Sequence, residues 1–162
     1  MARPRPSDEL GSILVRGTAA NLASLAALAA CSKSETGSAF AGINAISHWA
    51  WGDAGARRDD FSWRHTVLGA LTNQAASLFW AFCLARLFPS REGKVRVPRL
   101  LGEAAATSAL ACAVDYTVTP KRLTPGYELR LSRPSILAVY VAFAAGLALG
   151  NVLVPALRAA ER

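Results

Sequence analysis

The stretch "SILAVYVAFAAGLALGNVLVPAL" at positions 135–157 decides the fold, because it contains no charged residue. About 20 mostly apolar residues are enough for a helix to cross the hydrocarbon core of a bilayer. Pro134 precedes the stretch and suits the first turn of a helix, and Ser132 is placed as a possible cap. The stretch therefore predicts a transmembrane helix.

Three further apolar blocks have a length compatible with spanning. They are "LGSILVRGTAANLASLAALAAC" (10–31), "TVLGALTNQAASLFWAFCLARLF" (66–88) and "LLGEAAATSALACAVDYTV" (100–118). Together with 135–157 they predict an all-α polytopic membrane protein with four transmembrane helices. We expect residues 1–162 to form a single membrane-embedded helical domain.

The composition agrees with a membrane location. The chain of 162 residues is 52% hydrophobic and 18% charged, whereas about 25% of residues are charged in ordinary globular proteins. Its net charge of +7 first suggests nucleic acid, but the lysines and arginines lie mainly between the apolar blocks, where they contact lipid phosphates. Membrane lipid is therefore the expected partner, and nucleic acid is not.

The distribution of basic residues predicts the orientation. With four spans both termini lie on one side, and that side receives ten of the 18 lysines and arginines, while the other side receives eight. Because cytoplasmic loops carry the excess of Lys and Arg, this bias places the termini in the cytoplasm.

The segment "AFAGINAISHWAW" (39–51) is apolar but too short to span. Tryptophan side chains favour the headgroup zone, so the segment predicts a short interfacial or re-entrant helix between the first two spans. Asp59 and Asp60 follow it and are expected to pair in water with Arg57, Arg58 or Arg64. His48 is the residue of this segment whose substitution we expect to be most informative.

Small residues recur every four positions on two of the predicted spans. Such stripes let helix backbones approach closely, and a serine in one can hydrogen-bond across the interface. They predict packing within the bundle, with a homodimer interface as the alternative. The candidate packing residues are Gly69, Ser77, Ala142, Gly146 and Gly150.

Polar residues at membrane depth are the next candidates. Asn73 and Gln74 lie inside the second span and Asp115 near the end of the third, where the helix dipole disfavours a carboxylate. We expect interhelical hydrogen bonds for the amides and a partner such as Arg122 or Arg133 for Asp115. Glu103 can reach Arg99. The functional alternative is a small carrier or proton-linked transporter that uses Asp115, Asn73 and Gln74.

Motifs for catalysis are missing from the sequence, which contains no GxSxG, HExxH, phosphate loop or dinucleotide fingerprint. We therefore expect a protein that is not an enzyme and that needs no metal or cofactor. A less favoured alternative is a haem held by His48 and His65. The cysteines Cys31, Cys83 and Cys112 are expected to act as small buried hydrophobes.

The sequence "LAAC" at 28–31 leaves one question open. It matches the motif that precedes a lipidated cysteine in bacterial lipoproteins, yet the preceding core is unusually polar for a signal peptide. Cys31 is either a lipidation site or the residue that ends the first span.

The pairing of "NAISHWAWGDAGARRDD" with "DYTVTPKRLTPGYE" resembles small uncharacterised integral membrane proteins of bacteria. The resemblance implies a bacterial inner membrane and no assigned activity, with Asn44, His48 and Asp115 among the shared candidates. The leading functional expectation is a structural or accessory role through helix packing, as a homo-oligomer or within a larger membrane complex.

Overall fold

The chain is an all-α membrane protein in the computed structural model, which describes residues 6–89 and 96–160. Four helices in these ranges are long and apolar enough to cross a membrane, namely Asp8–Thr36, Trp63–Leu87, Val97–Thr117 and Arg133–Val154. A helix satisfies its own backbone hydrogen bonds, which is what a hydrocarbon environment requires. The predicted polytopic helical fold is confirmed.

The element order follows the predicted order of spans. The long helices are α1 (Pro6–Thr36), α5 (Leu68–Leu87), α6 (Val97–Thr117) and α7 (Arg133–Ala160). Between α1 and α5 lie three short helices, α2 (Ala41–Ile46), α3 (His48–Trp51) and α4 (Asp53–Ala56). A π-helical turn at Trp63–Val67 leads directly into α5, and a 3₁₀ turn at Tyr127–Leu129 precedes α7.

The ends of the helices differ from the predicted ends by a few residues. Helix α1 continues through Cys31 to Thr36, so Cys31 does not end the first span. Helix α6 begins at Val97 with Pro98 in its first turn, where a proline deprives the helix of no hydrogen bond. Residues 90–95, in the connection between α5 and α6, lie outside the described residues.

The expected helix at 39–51 is not one continuous helix. It consists of α2 and α3, which are separated at Ser47, and Asn44, Ser47 and His48 are almost fully buried. Trp49 and Trp51 remain exposed at 37% and 40%. The segment therefore joins the protein core with its polar side chains and presents its tryptophans outward, as the interfacial interpretation expected of them.

The four long helices form a ring in which α1 packs on α7 and α5, and α6 packs on α7 and α5. Its core combines large apolar side chains such as Leu28, Leu84 and Leu147 with small ones such as Ala20 and Ala81. The cysteines Cys31, Cys83 and Cys112 pack partly buried against this core as free thiols. They fill space as small hydrophobes, in agreement with the prediction.

The closest helix contact joins α7 to α1. A β-carbon added to Gly146 would lie 2.5 Å from the α-carbon of Ala20 and 2.6 Å from the carbonyl oxygen of Ala19. At Gly150 it would lie 2.5 Å from the α-carbon of Arg16. Because these two glycines are covered by backbone of the same chain, they pack within the bundle, and neither presents an open face to a second copy.

The other candidate packing residues also serve the inside of the protein. Gly69 lies against the carbonyl oxygen of Ile43, which leaves no room for a side chain, and Ser77 is 2% exposed. Ala142 is half-buried. Gly69, Ser77, Gly146 and Gly150 are therefore buried against other parts of the same chain.

The carboxylate of Glu35 joins the end of α1 to the start of α7. The backbone N–H of Ser132 donates to Glu35 Oε2 at 2.8 Å, and the Ser132 hydroxyl donates to Oε1 at 2.6 Å. The hydroxyl of Ser135 also donates to Oε1. A negative charge at a helix N-terminus is favourable, so α1 supplies the cap that we expected from Ser132 alone.

Replacing Gly146 by alanine tests the α1–α7 contact. We expect Gly146→Ala to lower the free energy of unfolding by about 1–3 kcal/mol, because the added methyl group meets backbone atoms. Gly102→Ala is the matched control, since Gly102 lies in α6 with no atom within 4 Å of its added β-carbon. That control is expected to be neutral or stabilising by up to about 1 kcal/mol.

The measurement is the midpoint of unfolding of the purified protein in mixed detergent micelles, followed by circular dichroism. Equal midpoints for the two variants would contradict the close α1–α7 contact.

Candidate functional site

Two connecting segments cover one end of the four-helix ring. We call residues 37–62 and 118–132 the cap. These segments join α1 to α5 and α6 to α7, so both lie on the side opposite the chain termini. The cap forms one wall of a cavity that the helices complete.

Asn44 organises the first cap segment. Its side-chain amide donates to the carbonyl oxygens of Arg58 at 3.0 Å and Asp60 at 2.9 Å, and its Oδ1 accepts from the Thr66 hydroxyl at 2.6 Å. Asn44 is fully buried. A buried amide with its hydrogen bonds satisfied stabilises the loop that surrounds it, and this is the role that the geometry gives Asn44.

Ser47 and His65 form a second buried polar pair. The Ser47 hydroxyl lies 3.0 Å from His65 Nδ1 and 2.8 Å from the carbonyl oxygen of Asn44. A hydroxyl has one hydrogen to donate. With that hydrogen on the carbonyl, the serine accepts from Nδ1–H of the histidine, and the pair ties α2 to the π-helical turn that opens α5.

His48 and two arginines join the two cap segments. His48 Nε2 lies 2.9 Å from the carbonyl oxygen of Thr124, and Arg122 Nε donates to the carbonyl oxygen of Trp49 at 3.3 Å. Arg130 donates to the carbonyl oxygen of Ala56 at 3.0 Å and pairs with Asp59. His48, the residue of 39–51 whose substitution we expected to be most informative, therefore links the two segments of the cap.

Gly126 explains why these segments can approach so closely. Its φ of +89° lies in the left-handed region that glycine tolerates. An added β-carbon would lie 2.6 Å from His48 Cδ2 and would also meet the carbonyl oxygen of Ala45. The turn at Gly126 thus places backbone directly against the first segment.

Ion pairs of the cap follow the sequence expectation in part. Arg58 pairs with Asp60 at 3.1 Å, as expected, whereas Asp59 pairs with Arg130 from the other segment. The pKa of Asp60 is lowered by a hydrogen bond from its own backbone N–H and by Arg58. Asp60 is therefore ionised at neutral pH on an exposed surface, where such pairs stabilise little.

Between the cap and the helices lies a cavity of about 130 Å³. Five aromatic side chains line it, namely Trp49, Trp80, Tyr127, Tyr140 and Phe143. Its polar lining residues are Ser24, Thr72, Asn73, Ser77, Asp115 and Thr124. The cavity therefore brings together residues from α1, α5, α6, α7 and the cap.

Asn73 belongs to a hydrogen-bonded wall between α5 and α1. Its side-chain amide donates to Asn21 Oδ1 at 2.7 Å and to the Ser24 hydroxyl at 3.0 Å. The interhelical hydrogen bonding expected of Asn73 is confirmed. The same residue also lines the cavity.

Asp115 is held by Tyr140. The Tyr140 hydroxyl donates to Asp115 Oδ2 at 2.6 Å, and Arg122 and Arg133 are not the partners of this carboxylate. The expectation of an arginine partner was wrong, because Arg122 is directed to Trp49 instead. A hydrogen bond to a charged group near the dipole-disfavoured end of a helix is among the stronger kinds.

Tyr127 and Glu128 extend this polar corner into the cap. Burial raises the pKa of Tyr127 well above its ordinary value, and the nearby Tyr116 hydroxyl and the carboxylates of Asp115 and Glu128 act in the same direction. Tyr127 therefore stays a neutral phenol at physiological pH. Glu128 accepts a hydrogen bond from Thr124, and within the described ranges its Oε2 is buried without a hydrogen-bond partner.

Two predicted polar residues lie elsewhere. Gln74 of α5 forms a long hydrogen bond of 3.4 Å to the hydroxyl of Thr18 in α1. It is not among the residues that line the cavity. Glu103 pairs with Arg99 at 2.6 Å one helical turn away, as expected. Gln74 is therefore not brought together with Asp115 and Asn73.

His48 and His65, the residues of the haem hypothesis, each have one ring nitrogen in a hydrogen bond to the protein. Within residues 6–89 and 96–160 no three His, Cys, Asp or Glu side chains are grouped so as to hold a metal ion. The geometry adds no observation in favour of haem, so this hypothesis stays a prediction from the sequence.

Tyr140 and Tyr127 are the site residues that sequence reasoning missed. Tyr140 lies in the apolar run "SILAVYVAF", where its hydroxyl would need a partner at membrane depth. Asp115 needed one as well. The complementary needs of these two residues are the signal in the sequence that could have suggested the pair.

The chain matches no protein-family model, no curated protein and no solved structure. The site is therefore interpreted from its own geometry.

A double-mutant cycle with Tyr140→Phe and Asp115→Ala tests the pairing of these side chains. We expect a coupling energy of about 1–2 kcal/mol in the free energy of unfolding, because the hydrogen bond involves a carboxylate and is half-buried. Thr18→Ala and Gln74→Ala form the control cycle, since their hydrogen bond is long and exposed. A coupling for Tyr140 and Asp115 no larger than that of the control would contradict the assignment.

Proposed function

We propose that this multi-pass membrane protein is a small carrier that binds its solute in the cavity beneath the cap. The observation that supports the proposal is the meeting of Asp115 and Asn73 in one cavity at the cap end of the helix ring. Intramembrane carboxylates are costly, and they mark substrate, ion or proton pathways. Gln74, the third residue that the carrier hypothesis names, does not line the cavity and has no part in the proposed site.

The cavity has the general character of a small-molecule site. Its aromatic and aliphatic walls would exclude water from a solute, and a few polar groups would orient it. The cap would provide the entrance, because Trp49, Thr124 and Pro125 line the cavity from the cap and not from spanning helices. A carrier also requires that the site open to the other face of the membrane, which the experiment below examines.

The proposal also includes the membrane in which the protein lies and the orientation of the protein in that membrane. The resemblance of the segments around His48 and Pro125 to bacterial membrane proteins supports the bacterial inner membrane. The excess of basic residues on the side of the termini supports a cytoplasmic location for both termini. The cavity would then open toward the outer face of that membrane.

The competing proposal is a structural or accessory role, as a homo-oligomer or within a larger membrane complex. Its argument from helix packing is weakened because the glycines of α7 are covered by α1. A carrier and an accessory protein also differ in a measurable way, since only a carrier must expose the same cavity residue to both sides of the membrane.

Thiol labelling distinguishes the two roles. In a variant in which Cys31, Cys83 and Cys112 are replaced by alanine, Ser77→Cys places one thiol in the cavity wall. We expect a membrane-impermeant thiol reagent to modify it from either side of oriented proteoliposomes. Ala75→Cys is the control on the same helix, because position 75 is exposed to lipid. Its thiol is expected to react at least roughly tenfold more slowly than that of Ser77→Cys, since a thiolate forms poorly in lipid.

Modification of Ser77→Cys from both sides supports alternating access. Modification from the cap side alone, or from neither side, would overturn the carrier proposal and favour the structural role. Mass spectrometry of the labelled protein gives the fraction modified in each case.

A further inference from the structure

The cavity has an unusual balance of charge for a site at this depth. Asp115 is its one charged lining residue among the described parts of the chain, and no Lys, Arg or His side chain lines it. Three basic side chains of the cap are engaged elsewhere, with His48 on the carbonyl oxygen of Thr124, Arg122 on that of Trp49 and Arg130 on Asp59. A solute in this cavity therefore meets a carboxylate with which no Lys or Arg side chain of the described residues pairs.

Glu128 strengthens the negative potential at the cap end. It is linked to the cavity wall through Thr124, and its Oε2 is buried without a hydrogen-bond partner in the described residues. Both Asp115 and Glu128 act electrostatically on the hydroxyl of Tyr127. Two carboxylates thus approach one corner of a site whose low dielectric constant strengthens their effect on a cation.

The remaining lining favours a cation with an apolar surface over a metal ion. Aromatic rings attract cations through their π-faces, and organic ammonium ions are the ligands that such surroundings recognise. A metal ion would need several oxygen ligands around it, and among the described residues Asp115 is the only carboxylate in the lining. The cavity of about 130 Å³ is close in size to cavities of about 150 Å³ that hold a benzene molecule.

We infer that the solute of this cavity is a small organic ammonium ion, with its charge at Asp115 and its carbon substituents against the aromatic walls. This inference rests on the proposed solute-binding function and specifies its substrate class. The hydrogen bond from Tyr140 holds the Asp115 carboxylate in place, so Tyr140 is a positioning residue as well as a wall of the site.

The test uses matched probes on the full chain in lipid nanodiscs. Choline is the cationic probe, 3,3-dimethylbutan-1-ol is its uncharged isostere, and 3,3-dimethylbutanoate is an anion of similar shape. Binding is measured by isothermal titration calorimetry. We expect binding of the cation to be tighter than binding of the neutral isostere by about tenfold or more, and no measurable binding of the anion.

Substitutions then locate the site. Asp115→Asn keeps an acceptor for Tyr140 and is expected to remove the preference for the cation, with little change for the isostere. Glu103→Gln is the control, since Glu103 pairs with Arg99 away from the cavity. Trp49→Leu is expected to weaken cation binding by about two- to fivefold through loss of one aromatic contact, and Trp51→Leu, outside the lining, is its control.

The outcomes separate this inference from the proposed function. Equal binding of the cation and the isostere, or tighter binding of the anion, would overturn the ammonium class and leave a solute-binding cavity. An unchanged preference in Asp115→Asn would overturn the role of that carboxylate. Absence of binding by all three probes also overturns the ammonium class, and thiol labelling of Ser77→Cys then decides independently whether the carrier proposal stands.

Discussion

Each polar group that enters the hydrocarbon must find its partner inside the protein, and this constraint determines how the helices are arranged. Asn73 is satisfied by Asn21 and Ser24 across the α5–α1 contact, and Asp115 by Tyr140 across the α6–α7 contact. A helix rotated away from its neighbour would leave these groups facing lipid at a cost of several kcal/mol. The polar pairs therefore determine how each helix is rotated about its own axis, while the glycines of α7 determine how closely α7 approaches α1.

The same constraint accounts for the cavity. Polar side chains gather where helices from opposite sides of the ring face one another, and bulky aromatic rings prevent those helices from closing completely around them. The cap completes the enclosure from one side through His48, Arg122 and Gly126. A site with polar groups and aromatic walls is thus a consequence of how the bundle satisfies its own buried groups.

The sequence predicts the spans well because hydrophobic length is a local property. It also predicts the Arg99–Glu103 and Arg58–Asp60 pairs, whose members are neighbours in the chain. The pairing of Asp115 with Tyr140 was missed because it depends on the packing of α6 against α7, and no local pattern encodes that contact. For a similar reason the segment 39–51 breaks at Ser47, since Asn44 and Ser47 bond to partners that lie 14 to 22 positions later in the chain.

The contact between α1 and α7 has a consequence for the order in which the protein is assembled. Glu35 caps a helix whose first residues are made 97 positions later, and α1 finds its most extensive packing partner in that last helix. During synthesis the face of α1 that packs on α7 stays without this partner while α5 and α6 are inserted into the membrane. The ring closes only when α7 arrives, so a chain interrupted before α7 would leave α1 without the neighbour that covers it.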